Sequence, residues 1–393
     1  MAVEHFLPFR KSSVISLCAG ELPAAERAGF AAFAGLLGAV AHYRFHRRGD
    51  AVLDAYQVVD PAQDVRSVGV VSAGDKAAAR RVVEDELVAL AEEADFVRID
   101  AAEIASAFAE DALVKVRLEV EDDEIDTVMF FRRGVSQRSE QVKWLYGLRR
   151  RSIEFTSYSK VLVYVAFKDR VLLKLFQNVP KNDLEMLYPS VRVHMRPIDK
   201  LLIGVPAVVS GIIVLVTKLV GSLGLLILLL AFYLGLRDES VRLDQAALVT
   251  LGAGIAAFTG YLIRQFSKFK NRKIKLLKTL SEHLYFRNLD NGPGVFHHLL
   301  DAAEESEFKE ALLAYHFLRT TPHPLTAADL DGLIESWFRR HWNTTFDFEV
   351  RAGLRTLTEL GLLTENADGT LAAPPIAEAR HRLDRYWDNA FRT

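Results

Sequence analysis

LLIGVPAVVSGIIVLVTKLVGSLGLLILLLAFYLGL (residues 201–236) and QAALVTLGAGIAAFTGYLI (245–263) decide how the rest of this chain is read. The first run holds one charged residue, Lys218, and the second holds none. A bilayer core of about 30 Å takes roughly 20 apolar residues per helix. The second run therefore fits one crossing, while the first exceeds one and falls short of two. Pro206 suits a first helical turn, and Gly221 and Gly224 offer a break. The link between the runs, RDESVRLD (237–244), holds Arg237 and Arg242 against Asp238, Glu239 and Asp244.

The flanks count the crossings. Arg192, Arg196 and Lys200 precede the apolar region, and Arg264, Lys268, Lys270, Arg272, Lys273, Lys275 and Lys278 follow it. Basic flanks stay on the cytoplasmic side, so the number of crossings is even. The expectation is a transmembrane hairpin over 201–263, with spans at about 205–236 and 245–263 and both termini cytoplasmic. Three spans rank second, and a buried helix pair in a soluble fold is the plain alternative. The N-terminus, MAVEHFLPFRKSSVISLCAG, lacks the order of a secretory signal.

Around this hairpin the chain reads as an α+β protein. Residues 22–48 form a helix by the spacing of Phe30, Phe33, Leu37 and Val40. Another covers 75–94, with Val82, Leu87 and Leu90 inward, and a short one covers 101–110. The period then changes to two. KVRLEV (115–120) and DTVMFF (126–131) read as strands paired around EDDE, and VLVYVAF (161–167) and RVLLKLF (170–176) as a hairpin closed by Lys168 and Asp169. IEFTSY (153–158) and VRVHM (191–195) complete about six short strands in a largely antiparallel sheet.

Between the strand pairs lies RRGVSQRSEQVKWLYGLRRR (132–151), with seven basic residues and one acid. Basic residues beside Trp144 and Tyr146 suit RNA or anionic headgroups, and a solvated helix is the plain reading. The lipid surface takes precedence over RNA, because a tethered chain already lies beside it. Arg132, Arg133, Arg149, Arg150 and Arg151, with Lys268, Lys270, Arg272, Lys273 and Lys275, are the expected membrane-surface residues. Lys218 is the expected intramembrane charge, with snorkelling to the interface as its plain alternative.

After the hairpin come a basic helix, the loop NLDNGPG (288–294), and helices at about 304–318, 326–341 and 346–361. GLLTENADGTLAAPP (361–375) then reads as two strands around a turn. Three helices and a hairpin resemble a winged helix. Residues 301–393 hold ten basic and sixteen acidic groups. DNA binding rests on phosphate neutralisation, so this module is expected to contact protein and not nucleic acid. The expected divisions are 1–112, an N-terminal helical region; 113–200, the antiparallel α+β domain; 201–263, the hairpin; 264–300, a basic linker helix and loop; and 301–393, the winged-helix-like module.

Composition excludes further classes. The chain has 393 residues, half of them hydrophobic, and 49 Lys plus Arg against 51 Asp plus Glu. It is neither disordered nor a globally basic nucleic-acid binder. The single cysteine, Cys18, excludes an internal disulfide framework and a multi-thiolate metal site. His42 and His46 have ligand spacing, but Tyr43 stands where a zinc protease needs Glu. His297, Asp301, Glu304 and Glu305 have no matching second motif. No catalytic, cofactor or metal residues are assigned.

HYRFHRRGDAVLDAYQVVDP (42–61), VMFFRRG (128–134), LKLFQNVPKNDLEMLYPSVRVHMRPIDKLLIGVP (173–206) and FSKFKNRKIKLLKTLSEHLYFRNLDNGPGVFHHLLDAAEESEFKEALLAYHFL (266–318) together resemble the domain of unknown function 3754 family. That family includes transmembrane protein 143 of animal mitochondria. The resemblance runs from about residue 40 to 320 and is closest to bacterial-type members. It implies a membrane protein with a pair of helices, and no established activity. Three functions follow as expectations: a membrane-anchored adaptor or scaffold in a bacterial plasma membrane, with an unidentified protein partner at the C-terminal module; a homo-oligomeric conduit using Lys218; and, last, a membrane-associated enzyme.

Overall fold

A computed structural model describes residues 5–62, 69–100, 102–104, 117–120, 125–144, 149–168, 170–187, 191–194, 220–236, 245–344 and 346–391. In chain order the helices are α1 (Lys11–Glu21), α2 (Ala24–Val59), α3 (Ala73–Glu93), α4 (Leu184–Leu187), α5 (Val220–Tyr233), α6 (Gln245–Arg287), α7 (Pro293–Thr320), α8 (Ala327–Trp342), α9 (Val350–Glu359) and α10 (Ile376–Asn389). The strands are β1 (Val97–Arg98), β2 (Arg117–Val120), β3 (Ile125–Trp144), β4 (Arg149–Phe167), β5 (Val171–Pro180), β6 (Val191–His194), β7 (Asn288–Asn291), β8 (Thr364–Glu365) and β9 (Leu371–Ala372). They divide into two units. One holds residues 1–111, 121–189 and 287–393, and the other holds 112–120 and 190–286.

The first unit is built on an antiparallel sheet of order β1-β3-β4-β5-β7. Alternation puts Leu162, Tyr164 and Ala166 on one face of β4, where they join Leu173 and Leu175 of β5. This face packs with Phe45, Val52 and Tyr56 of α2, Leu87 and Leu90 of α3, and Phe296 and Leu299 of α7. A second core joins Val14, Phe30, Phe33 and Leu37 to Phe308, Leu312 and Tyr315 of α7, and onward to Ile334, Leu357 and Leu383. Helices α2 and α7 therefore run through both cores. The packing cuts across the divisions expected at 112 and 300, since residues 7–40 complete the core of 301–393.

The α+β class and antiparallel sheet agree with the sequence reading, and local details differ. Val83 is buried and Val82 is 44% exposed, because Val83 stands four and seven residues before the buried Leu87 and Leu90, on one helical face, and Val82 does not. Within 115–120, the described residues 117–120 do not pair with 126–131. Arg117–Val120 pairs instead with Val191–His194, in the second unit. The described residues of the basic segment, 132–144 and 149–151, are strand and not helix: β3 and β4 pair along their length, from Ile125↔Phe167 to Trp144↔Arg149. β5 pairs with β4 only from Ser157 to Ala166, so the 149–156 end continues as a two-stranded ribbon. Half of the expected loop 288–294 is an edge strand, with Lys174 opposite Asn291. The expected hairpin 161–176 is present, with Ala166 opposite Val171.

Among the described residues one helix, α2, is long and apolar enough to cross a membrane. Its Phe30, Phe33, Leu37, Val40 and Tyr56 are fully buried in protein, so it serves as a core helix. In the second unit, Gly221 and Gly224 lie within α5. The run 245–263 lies in α6, which continues through the basic stretch to Arg287. Residues 201–219, Lys218 among them, and 237–244 lie outside the described residues.

Candidate functional site

The first unit holds a cleft of about 570 Å³ whose wall carries six carboxylates against two arginines. Three of its carboxylates come from two segments far apart in sequence. Asp95 follows α3, and Glu307 and Glu310 lie on α7.

Helix α3 closes with the Phe96 amide donating to the Ala91 carbonyl (2.8 Å) and the Asp95 amide donating to that of Glu92 (3.0 Å). This pattern needs a left-handed residue, normally glycine, after the cap. Here it is Asp95, at φ 61°. The same closure at the end of α9 uses Gly361, at φ 67°. The side chain at 95 is used: its carboxylate accepts the Ser306 hydroxyl at 2.6 Å.

Helix α7 is buried on nearly every side, so its polar residues enter the interior. Ser306, Glu307, Lys309 and Glu310 are all buried. Glu307 accepts from the Arg44 guanidinium at 3.1 Å, and Arg44 also reaches Glu359. Glu310 is 7% exposed, and the Ser306 hydroxyl approaches it only at 3.4 Å. Burial raises all three acids above the ordinary carboxylate range, Glu310 most clearly, with Asp95 and Glu349 adding repulsion there. Glu92, Glu93 and Glu349 extend the acidic wall, against Arg98 and Arg355. His5 closes one edge, 3.7 Å from Glu349. An adjoining cavity of about 270 Å³ shares Glu93, Glu307 and Arg355 and adds Arg44, Arg48 and Glu359. There Arg48 is bound by Glu86 and Glu93.

Buried carboxylates with few internal donors carry poorly compensated charge when ionised, and a cationic group is their chemical complement. The pH dependence follows from the sign of the shift. A carboxyl whose native pKa lies above the unfolded value of about 4.5 stabilises the fold fully below that value. This contribution is lost as pH rises through the native value. Glu310→Gln is therefore expected to be more stable than wild type at pH 8 by about 1–3 kcal/mol. The gain should shrink toward pH 4 in denaturant unfolding. A pH-independent difference would contradict this account.

The residues expected from sequence lie elsewhere. Arg132 pairs with Glu103 at 3.3 Å and lies over the Tyr158 ring. Arg133 donates to the Ala94 carbonyl at 2.8 Å and lies over Phe6 and Phe96. Both are engaged within the fold, Arg133 behind the cleft wall. Lys268 and Lys270 are exposed on α6. The side chains of Arg149, Arg150, Arg151, Arg272, Lys273 and Lys275, and Lys218 as a whole, lie outside the described residues. His42 and His46 stack without converging on a metal position; His42 meets Glu304 at 2.9 Å and His46 meets Asp50 at 3.8 Å. Asp331, Glu335 and Asp347 bring carboxylate oxygens within 4.8 Å of one another, a grouping the sequence did not announce. Cys18 is buried, and burial pushes its thiol up, away from reactivity.

Residues 136–294 match the model of a family described as a protein of unknown function, DUF3754. The match is to the family and not to any one member, and it is shorter than the resemblance read over 40–320. No solved structure matches the chain.

Proposed function

Proceeding from a chain that carries a DUF3754 segment, we propose that this protein is a membrane-anchored adaptor. A hairpin over 201–263 holds it in the bilayer, and the acidic cleft receives a cationic group of a protein partner. The carrying observation is the cleft, where Asp95, Glu307 and Glu310 converge with few internal donors. A lysine or arginine side chain matches it in charge, and a cavity of this size admits one or two such groups. Helix α9, the third of the winged-helix-like order, packs its Gly353 on α7 and turns Arg355 to the cleft. That placement suits protein contact better than insertion into a DNA groove.

Membrane anchorage is supported by what the second unit leaves uncovered. Ile227, Leu230, Leu234 and Leu236 on or just after α5 are exposed, as are Leu248, Val249, Leu262, Ile263 and Phe266 on α6. Large apolar side chains left exposed in these numbers suit a lipid surrounding better than water. Arg264, Lys268 and Lys270 follow it along α6 and favour the cytoplasmic side. Each contact with anionic headgroups is worth about 1 kcal/mol.

Two measurements test this reading. Alkaline carbonate should leave the protein in the membrane fraction, and release would remove the hairpin. In detergent, the full-length protein should bind a lysine-rich peptide in a salt-sensitive manner. Glu307→Gln with Glu310→Gln should weaken binding by at least about tenfold, since truncating buried charge pairs costs about 2 kcal/mol or more. Equal binding by both proteins would remove the cleft from the function.

A further inference from the structure

A second cluster in the first unit stands apart from the acidic cleft. Lys160 lies on β4, opposite Arg133 of β3 and Gln177 of β5. Its ammonium nitrogen is in hydrogen-bond contact with Nε2 of His298, which comes from the second turn of α7. On its other side, Nδ1 of His298 lies 3.6 Å from the Asp290 carboxylate, on the edge strand β7. The glycine at 294 makes this approach feasible, since a Cβ there would lie 2.8 Å from Oδ1 of Asp290. Amine, imidazole and carboxylate are thus in series, and both Lys160 and His298 are only partly buried.

Two nitrogen bases in contact share one proton, because two positive charges at that separation repel. If Nδ1 carries its proton toward Asp290, Nε2 is the acceptor facing Lys160. This is the order nucleophile, base, orienting group that activates side chains for covalent chemistry. We propose that Lys160 is a nucleophilic amine that condenses with a small aldehyde or ketone, with His298 as its proton acceptor and Asp290 as the positioning residue. The Nζ lone pair attacks the carbonyl carbon, and the carbon–nitrogen bond forms. One Nζ proton passes by way of Nε2 of His298 to the alkoxide oxygen, which becomes a hydroxyl. The second Nζ proton then passes by the same nitrogen to that hydroxyl, which departs as water as the imine double bond closes. Amine plus carbonyl gives imine plus water, with no oxidant or reductant consumed.

The surroundings agree with this assignment. Burial, with Arg133 nearby, lowers the Lys160 amine to about 8, while Asp290 and Glu305 oppose the shift. Burial and Lys160 hold His298 below its ordinary value, against Asp290 and Asp301. At pH 8 a large share of Lys160 is then unprotonated, against well under one per cent of an ordinary lysine. Lower basicity costs some nucleophilicity, and the net gain is on the order of tenfold.

The test uses the full-length protein in detergent, with glyceraldehyde as the probe and cyanoborohydride to trap the imine. Peptide mass mapping compares Lys160 with the exposed Lys76 and Lys174 between pH 6 and 10. Lys160 should label about tenfold faster at pH 8, with a midpoint near 8. His298→Gln should bring it down to the reference lysines, and Asp290→Asn should slow it less, with Lys76 and Lys174 unchanged in both. If His298→Gln fails to fold, Asp290→Asn alone carries the comparison. Labelling no faster than the references would overturn the proposal. So would fast labelling that neither variant slows, which would reflect accessibility alone.

Discussion

Gly353→Val should lower the stability of the first unit by about 3 kcal/mol or more. Helix α9 crosses α7 at this glycine. A Cβ there would lie 2.7 Å from the Glu310 carbonyl oxygen, 2.8 Å from its carbon and 3.2 Å from the Ala311 nitrogen. These are backbone atoms inside a helix, so no side chain can turn aside to make room. Valine adds three carbons where none fits, and the two helices must separate. Separation would also carry Ala352 and Arg355 away from the cleft wall. Gly332→Ala is the control. It too lies inside a helix, but nothing stands within 4 Å of its added Cβ. It should gain about 0.5–1 kcal/mol from reduced backbone entropy in the unfolded chain. Urea unfolding of both variants checks the pair, and equal effects would refute the close-approach account.

The second large effect is expected at Lys309, which is 2% exposed. Its ammonium donates to the carbonyls of Leu7 (3.1 Å) and Phe9 (3.2 Å) and lies 3.4 Å from Glu305. Hydrogen bonds to a charged donor are worth about 1.5–3 kcal/mol each. Lys309→Met keeps the length of the side chain and removes both bonds, at a cost of about 3 kcal/mol. The loss should be local as well as global. Residues 5–9 are held to α7 through this amine, and His5 at the cleft edge belongs to that segment. Hydrogen exchange at Phe6, Leu7 and Phe9 should therefore rise more than exchange in the sheet. Uniform acceleration across both would mean that Lys309 supports the fold without pinning the segment.

Much of the scaffold was legible because its cores are periodic. Phe30, Phe33, Leu37 and Val40 announce α2, and 161–176 alternates cleanly enough to read as a hairpin. The ribbon of 137–144 with 149–156 was not legible, because its sequence alternates neither at period two nor at 3.6. The pairing of 117–120 with 191–194 was hidden by nearness in sequence, which favoured the adjacent strand. The cleft was hidden for a different reason. On a helix, a run such as Glu304-Glu305-Ser306-Glu307 ordinarily marks the solvated face. Only the closing of α2, α3 and α9 around α7 makes Glu307 and Glu310 interior. Asp95 carried one signal that was open to reading, since it stands where a helix of this kind usually ends in glycine.

The sharing of one core by the first forty residues and the last hundred has a consequence for how the protein is made. Leu7 and its partner Lys309 are 302 residues apart. At about 5–20 residues per second, the ribosome needs about 15–60 s to supply the second after the first. Through that interval Val14, Phe30 and Phe33 lack the residues of α7 that complete their core. The amino-terminal apolar face is thus uncovered for most of the protein's own synthesis.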